Sequence, residues 1–133
     1  MRYLLDTNIL SALVRHPGGV VAETIAKVSE EAVYTSIVVA AELRYGAARK
    51  GSERLTRQVE AVLAAIAIAP WHPPCDRIYA DLRTFLEREG TPIGGNDLLI
   101  GSHAVADESI LVTDNTREFG RIPGLTIENW LRP

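Results

Sequence analysis

The sequence predicts an α/β fold in which helices cover both faces of a parallel sheet, and three observations carry that prediction. Short, almost continuously apolar runs such as Leu4-Leu5 and Ile110-Leu111-Val112 have the length and composition of buried strands. Helical stretches of about ten residues or more separate them, long enough for crossover connections between parallel neighbours. Acids follow two of the strands: Asp6 after Tyr3-Leu4-Leu5, and Asp114 after Ile110-Leu111-Val112-Thr113. In open α/β sheets that position, outside the carboxyl ends of the strands, is where ligand crevices lie.

Taken in order, residues 2–5 read as a short buried strand. Asp6-Thr7-Asn8 then supplies capping side chains for a helix through about Arg15, which Pro17-Gly18-Gly19 ends. Residues 20–29 carry helical periodicity in Val21, Ile25 and Val28, and 32–34 read as a second strand. Thr35-Ser36 is an N-cap for a helix over 37–49, and Gly51-Ser52 closes it and opens another that runs to about Ala65. Residues 66–71 fit either the end of that helix or a third strand. After Pro73-Pro74, residues 75–89 form a helix with Ile78, Leu82 and Phe85-Leu86 on one face. The loop 90–96 leads to a helix over 97–106, then a strand at 110–113 and a short fifth at 125–128. No repeat, low-complexity tract or linker divides the chain, so residues 1–133 read as a single domain.

The length of 133 residues allows one real hydrophobic core, and 47% apolar with 23% charged residues is the composition of a soluble globular protein. The single cysteine, Cys75, cannot pair within the chain and reads as a small buried thiol. The first apolar run is too short for a secretory signal and none approaches membrane-spanning length, so the expectation is a cytoplasmic protein without membrane contact. A net charge of −3 argues against broad coating of nucleic acid, although acids that bind cations count as negative in that sum. Twelve of the fourteen basic residues are arginine, the side chain suited to bidentate phosphate or carboxylate contacts. His16, His72 and His103 are scattered and read as surface or capping residues rather than ligands.

Four carboxylates deserve individual weighing. Asp6 suits an N-cap, Asp114 suits a turn in Thr113-Asp114-Asn115-Thr116, and Asp97 suits the N-terminal end of a helix dipole. Glu42 is harder to place, because it interrupts Ile-Val-Val-Ala-Ala before Leu43. Together they form a pattern that a metal-dependent phosphodiesterase requires: several oxygen ligands converging from separate elements.

Those residues also carry a resemblance. Asp6-Thr7-Asn8 after the first strand, Thr35-Ser36 followed by Glu42-Leu43, Ile93-Gly94 with Asn96-Asp97 before Leu98-Leu99-Ile100, and Leu111 through Phe119 occur in the order and spacing of the PIN-domain ribonucleases. The chain most resembles VapC-type toxins of bacterial toxin–antitoxin pairs, over essentially its whole length to Ile127-Glu128-Asn129-Trp130. The resemblance implies a three-layer α/β/α sandwich around a central parallel sheet. It implies that Asp6, Glu42 and Asp97 bind Mg²⁺ or Mn²⁺, with Asp114 at a fourth position as a direct, water-mediated or second-metal ligand. Thr7, Asn8, Thr113 and Asn115 fall on polar positions that orient the acids. Arg15, Arg44, Arg49 and Arg117 are candidates for contact with RNA or with an antitoxin, and Phe119 reads as core. A VapB-like antitoxin and a homodimer are implied as partners. The expected reaction is hydrolysis of RNA by a metal-activated water, leaving 5′-phosphate and 3′-hydroxyl ends, with Asp97 or Asp114 accepting the proton.

Other classes fit less well. A receiver-type domain needs adjacent acids after its first strand and a lysine after its last, yet Asp6 is followed by Thr7-Asn8 and the only lysines are Lys27 and Lys50. An aspartyl-phosphate phosphatase needs an acid where Asn8 stands. A non-catalytic binding module leaves the four acids unexplained. DNA stays open as the substrate, because the sequence contains no element that reads a 2′-hydroxyl.

Overall fold

A computed structural model describes residues 1–132 as a five-stranded, all-parallel sheet flanked by helices. The strands are β1 (Tyr3–Leu5), β2 (Val33–Ser36), β3 (Ala67–Ala69), β4 (Ile110–Val112) and β5 (Ile127–Glu128). The helices are α1 (Thr7–Arg15), α2 (Val20–Val28), α3 (Ile37–Lys50), α4 (Glu53–Ala65), α5 (Cys75–Arg88), α6 (Gly95–Ala106) and α7 (Thr116–Phe119). Residues 66–71 resolve as β3, and α7 is a single turn that the sequence pattern did not announce.

The spatial order β3-β2-β1-β4-β5 explains the placement of the acids. The chain moves outward from β1 to β2 to β3, then returns to lay β4 on the other side of β1. Right-handed crossovers therefore send the two series of helices to opposite faces, giving three layers. They also make the β1–β4 junction the switch point, where the first turns of two diverging connections leave a crevice. Tyr3, Leu4 and Leu5 stand level with Ile110, Leu111 and Val112, so the segments after Leu5 and Val112 emerge side by side.

Leu4, Leu5, Leu111 and Val112 are fully buried, as strands covered on both faces must be. Each such side chain contributes about 1.5–3 kcal/mol by leaving water. Phe119 is fully buried, as expected of a core aromatic, and Cys75 is a buried free thiol. Trp130 closes the C-terminal segment against Tyr3, with ring centroids 5.5 Å apart. Two expectations need correction. On α5, Leu82 and Leu86 are buried but Phe85 is exposed, because it lies one position off the face that meets α6. Of the histidines, His16 is the exposed C-cap of α1, but His103 is wholly buried. Its α6 position turns inward because the segment Leu98–Ala104 is buried on most sides.

Candidate functional site

The crevice at the β1–β4 junction is built from side chains on five elements that hydrogen bonds join into one network. Asp6 leaves β1 in extended backbone and caps α1: its Oδ1 accepts from Thr7 N–H at 2.7 Å. Its Oδ2 accepts from the buried Thr113 hydroxyl at 2.7 Å, directly after β4. Thr113 Oγ1 in turn accepts from Asn115 N–H at 3.0 Å, which fixes the turn into α7. The helix-capping reading of Asp6 thus holds, and its second oxygen is tied to Thr113 across the crevice.

Thr7 carries the network the other way. Its hydroxyl donates to Glu42 Oε1 on α3, and Asn96 Nδ2 donates to Glu42 Oε2 at 3.1 Å. Glu42 is therefore turned toward the β1 crevice rather than toward solvent or Arg49. On the opposite wall, Asn115 Nδ2 donates to Asp97 Oδ2 at 3.2 Å and to Glu118 Oε2 at 2.9 Å. Asp97 lies in the first turn of α6 rather than opening it, and Gly94 takes the N-cap place.

Electrostatics show how tightly these acids are gathered. Burial, opposed by hydrogen bonds from Thr113 and Thr7, pushes Asp6 above the usual carboxylate range, and the Glu42 charge adds to the rise. Asp97 is pushed up to about 7, first by burial, then by its contact with Glu118 and by the charges of Asp6, Glu118 and Glu42. Glu118 is held below its usual value, chiefly because Asp97 shares its proton with it. A proton retained by a carboxyl near neutral pH marks a place where negative charge is in excess. A cation removes that excess, and an all-oxygen donor set of three carboxylates suits a hard divalent ion. The donor set therefore fits a metal of the Mg²⁺ class.

Asp114 is placed differently. Its Oδ1 accepts from Asn129 Nδ2 at 2.9 Å and pairs with Arg132 Nε at 3.1 Å, so it binds the C-terminal segment at the edge of the crevice. Among the described residues, no hydrogen bond connects it to Asp6, Glu42 or Asp97. Asn8 is exposed on α1. Arg15, Arg49 and Lys50 line a groove of about 270 Å³ together with Thr7 and Glu42, so a cationic wall adjoins the acids. Arg44 is engaged by Glu60, with bonds of 2.9 and 3.0 Å, and Arg117 is exposed on α7.

Two participants lay within the sequence motifs but were given no site role there. Asn96 was visible as the neighbour of Asp97. Glu118 stands three residues after Asn115, which is hydrogen-bonding distance once α7 forms, and only the unpredicted α7 brings it in.

Comparisons with known proteins identify the family. The PIN domain family matches residues 3–125. The chain is 40% identical over 132 residues to Ribonuclease VapC2 of Rickettsia felis, covering 98% of each protein. It is 30% identical over 131 residues to the tRNA(fMet)-specific endonuclease VapC of Salmonella typhimurium, again covering 98% of each. A crystal structure of VapBC2 from Rickettsia felis bound to a DNA fragment from its promoter superposes with a TM-score of 0.90 at 37% identity, over 98% of this chain and 99% of that one.

Proposed function

The chain belongs to the PIN-domain family, within the VapC ribonucleases, and from that premise we propose that it is a Mg²⁺-dependent endoribonuclease acting as the toxin of a toxin–antitoxin pair. The observation that carries the reading is the continuous network Glu42–Thr7–Asp6–Thr113–Asn115–Asp97 across the switch point of the sheet. It holds three carboxylates in fixed orientation before any substrate arrives, which is the preorganisation that hydrolysis of a phosphodiester demands.

Asp6, Glu42 and Asp97 would hold the cation. When bound, it polarises the scissile phosphate and makes water a nucleophile at neutral pH. Thr113 and the Thr7 amide keep Asp6 ionisable despite burial, and Asn115 fixes the Asp97 carboxylate. Thr7 and Asn96 together hold both oxygens of Glu42. The water oxygen joins phosphorus, the bond to the 3′-oxygen breaks, that oxygen takes a proton, and a site carboxylate receives the proton lost by water. Products then end in 5′-phosphate and 3′-hydroxyl. Asp114, held by Asn129 and Arg132, adds negative potential at the rim. Arg15 and Arg49 supply guanidinium groups to backbone phosphates approaching from the groove beside Glu42.

A VapB-like antitoxin is the protein partner. Support comes from an apolar groove of about 390 Å³ between α1, α2 and α4, lined by Leu13, Ile25, Val62 and Ile66. Val14 borders both this groove and the one beside Glu42, so a bound segment can run from one toward the acids. A second copy of the chain is a further partner, with Ile37 and Tyr45 of α3 exposed for it; molecular mass in solution tests this.

The deciding experiment incubates the purified protein with labelled RNA, including transfer RNA, and with DNA, in Mg²⁺ and in EDTA. Mg²⁺-dependent cleavage of RNA alone, with 5′-phosphate ends, is expected. Cleavage confined to DNA, cleavage that survives EDTA, or 2′,3′-cyclic phosphate products would overturn the proposal.

A further inference from the structure

Away from the acid crevice, a group of metal-ligating side chains converges among the described residues. His72, on the connection from β3, and Cys75, the first residue of α5, meet His103 of α6 with one ligand atom of each within 4.8 Å of the others. His103 lies roughly 9 Å further along the axis of α6 than Asp97, at about 1.5 Å per residue, so this is a separate place in the fold. Asp107, the C-cap of α6, reaches both imidazoles: its Oδ1 lies 3.4 Å from His72 Nε2 and its Oδ2 lies 3.4 Å from His103 Nε2.

The donor atoms are turned for ligation. His72 Nδ1 lies 2.6 Å from the Pro73 carbonyl, which can only accept, so Nδ1 carries a proton and Nε2 is the ring atom that faces the Asp107 carboxylate. A proton or a metal ion fits between that nitrogen and the carboxylate. His103 Nδ1 is held at 2.9 Å by Ser36 Oγ, while its Nε2 is fully buried and makes no hydrogen bond, the Asp107 oxygen at 3.4 Å lying out of line for one. A buried, unpartnered ring nitrogen costs about 1–3 kcal/mol unless something binds it. Asp107 is itself fixed by the Tyr34 hydroxyl at 2.8 Å and by Arg2 at 3.9 Å. Outer hydrogen bonds of this kind orient metal-bound imidazoles.

The spacing is also informative. Tetrahedral zinc, with bonds near 2.0–2.1 Å to nitrogen and oxygen, separates neighbouring ligand atoms by about 3.3–3.4 Å. Each imidazole Nε2 stands 3.4 Å from its own oxygen of Asp107, close to that separation, while the ligand atoms of His72, Cys75 and His103 lie within 4.8 Å of one another. Two imidazoles and a thiol, with a carboxylate beside both imidazoles, form a zinc-type donor set, unlike the oxygen-only set at the β1–β4 crevice. We propose that His72, Cys75 and His103, with Asp107, bind a borderline-soft divalent cation of the zinc class, pinning the β3–α5 connection to α6. An imidazolium of His72 paired with Asp107 is the competing arrangement, and it requires no metal.

Cobalt is the probe. The full-length protein, stripped with EDTA and supplied with excess Mg²⁺ to fill the acid crevice, is titrated with Co²⁺ and then with Zn²⁺. Expected are intense tetrahedral bands and a thiolate-to-cobalt charge-transfer band that saturate at one equivalent and disappear on adding Zn²⁺. Cys75→Ser should lose the charge-transfer band, and His72→Gln, on an exposed loop, should weaken Co²⁺ binding by about tenfold or more. Asp6→Asn should leave the spectrum unchanged. Absence of the charge-transfer band from the wild type, its persistence in Cys75→Ser, or unaltered affinity in His72→Gln would overturn the site.

Discussion

Replacing Asp97 with Asn removes one charge from the crowded crevice, and the consequence for the metal-free protein can be worked through with its sign. Asp97 titrates at about 7 in the folded protein, against 3.8 for an unperturbed aspartate. Between those values the folded state binds more protons than the unfolded one, so stability falls as pH rises through that window and stays low above it. A rise of about three pKa units corresponds to about 4 kcal/mol. Partial exposure of the carboxylate and the compensating fall at Glu118 bring the expected effect to about 2–3 kcal/mol. In Asp97→Asn the amide oxygen still accepts from Asn115, and the pH-dependent loss is gone. Urea unfolding in EDTA should find the variant more stable than wild type by about that amount near pH 8, with the advantage vanishing near pH 4. Added Mg²⁺ should stabilise the wild type and leave the variant unmoved. A difference independent of pH, or a wild type more stable near pH 8, would refute the claim that excess negative charge raises Asp97.

Four further outcomes follow from the same geometry. Because the cation competes with the proton on Asp97, apparent Mg²⁺ affinity should drop as pH falls below about 7, which isothermal titration across pH reads directly. Asp6→Asn should lower RNA cleavage by at least about a hundredfold while circular dichroism shows an intact fold. Thr113→Val strips a buried donor from Asp6 and an acceptor from Asn115 N–H, so urea unfolding near pH 8 should show a loss of about 2–3 kcal/mol. Arg49→Ala should weaken RNA binding and reduce its salt dependence by about one counterion, whereas Arg44→Ala, whose guanidinium is engaged by Glu60, should change that slope little.

Much of this protein is written locally and was legible without a structure. Strands β1, β2, β4 and β5 and helices α1 to α6 stand within a few residues of where apolar periodicity, Ser and Asp caps, and Gly and Pro breakers put them. Ser36 and Ser52 cap the helices they were expected to cap. The choice between helix and strand at residues 66–71 was not legible, because three residues of β3 have no period to measure and form only where β2 accepts them. Helix α7 was missed for a related reason: four residues bury one side chain, Phe119, and the rest of the turn is polar.

Sequence by itself therefore determined the elements, their order and the acids worth watching, since capping and periodicity act within one turn or one strand. Tertiary structure decided which of those acids meet. Only the strand order sets β1 beside β4, so that Thr113 can hold Asp6 across the switch point, while the same packing brings Glu118 to Asp97 and ties Asp114 to Asn129 and Arg132. It also buried His103, read from the sequence as a surface or capping residue, and brought the scattered His72 and His103 together beside Cys75 and Asp107. The physical reason is shared: a carboxylate or imidazole acquires its chemistry from neighbours a few ångströms away, and those neighbours come from distant parts of the chain.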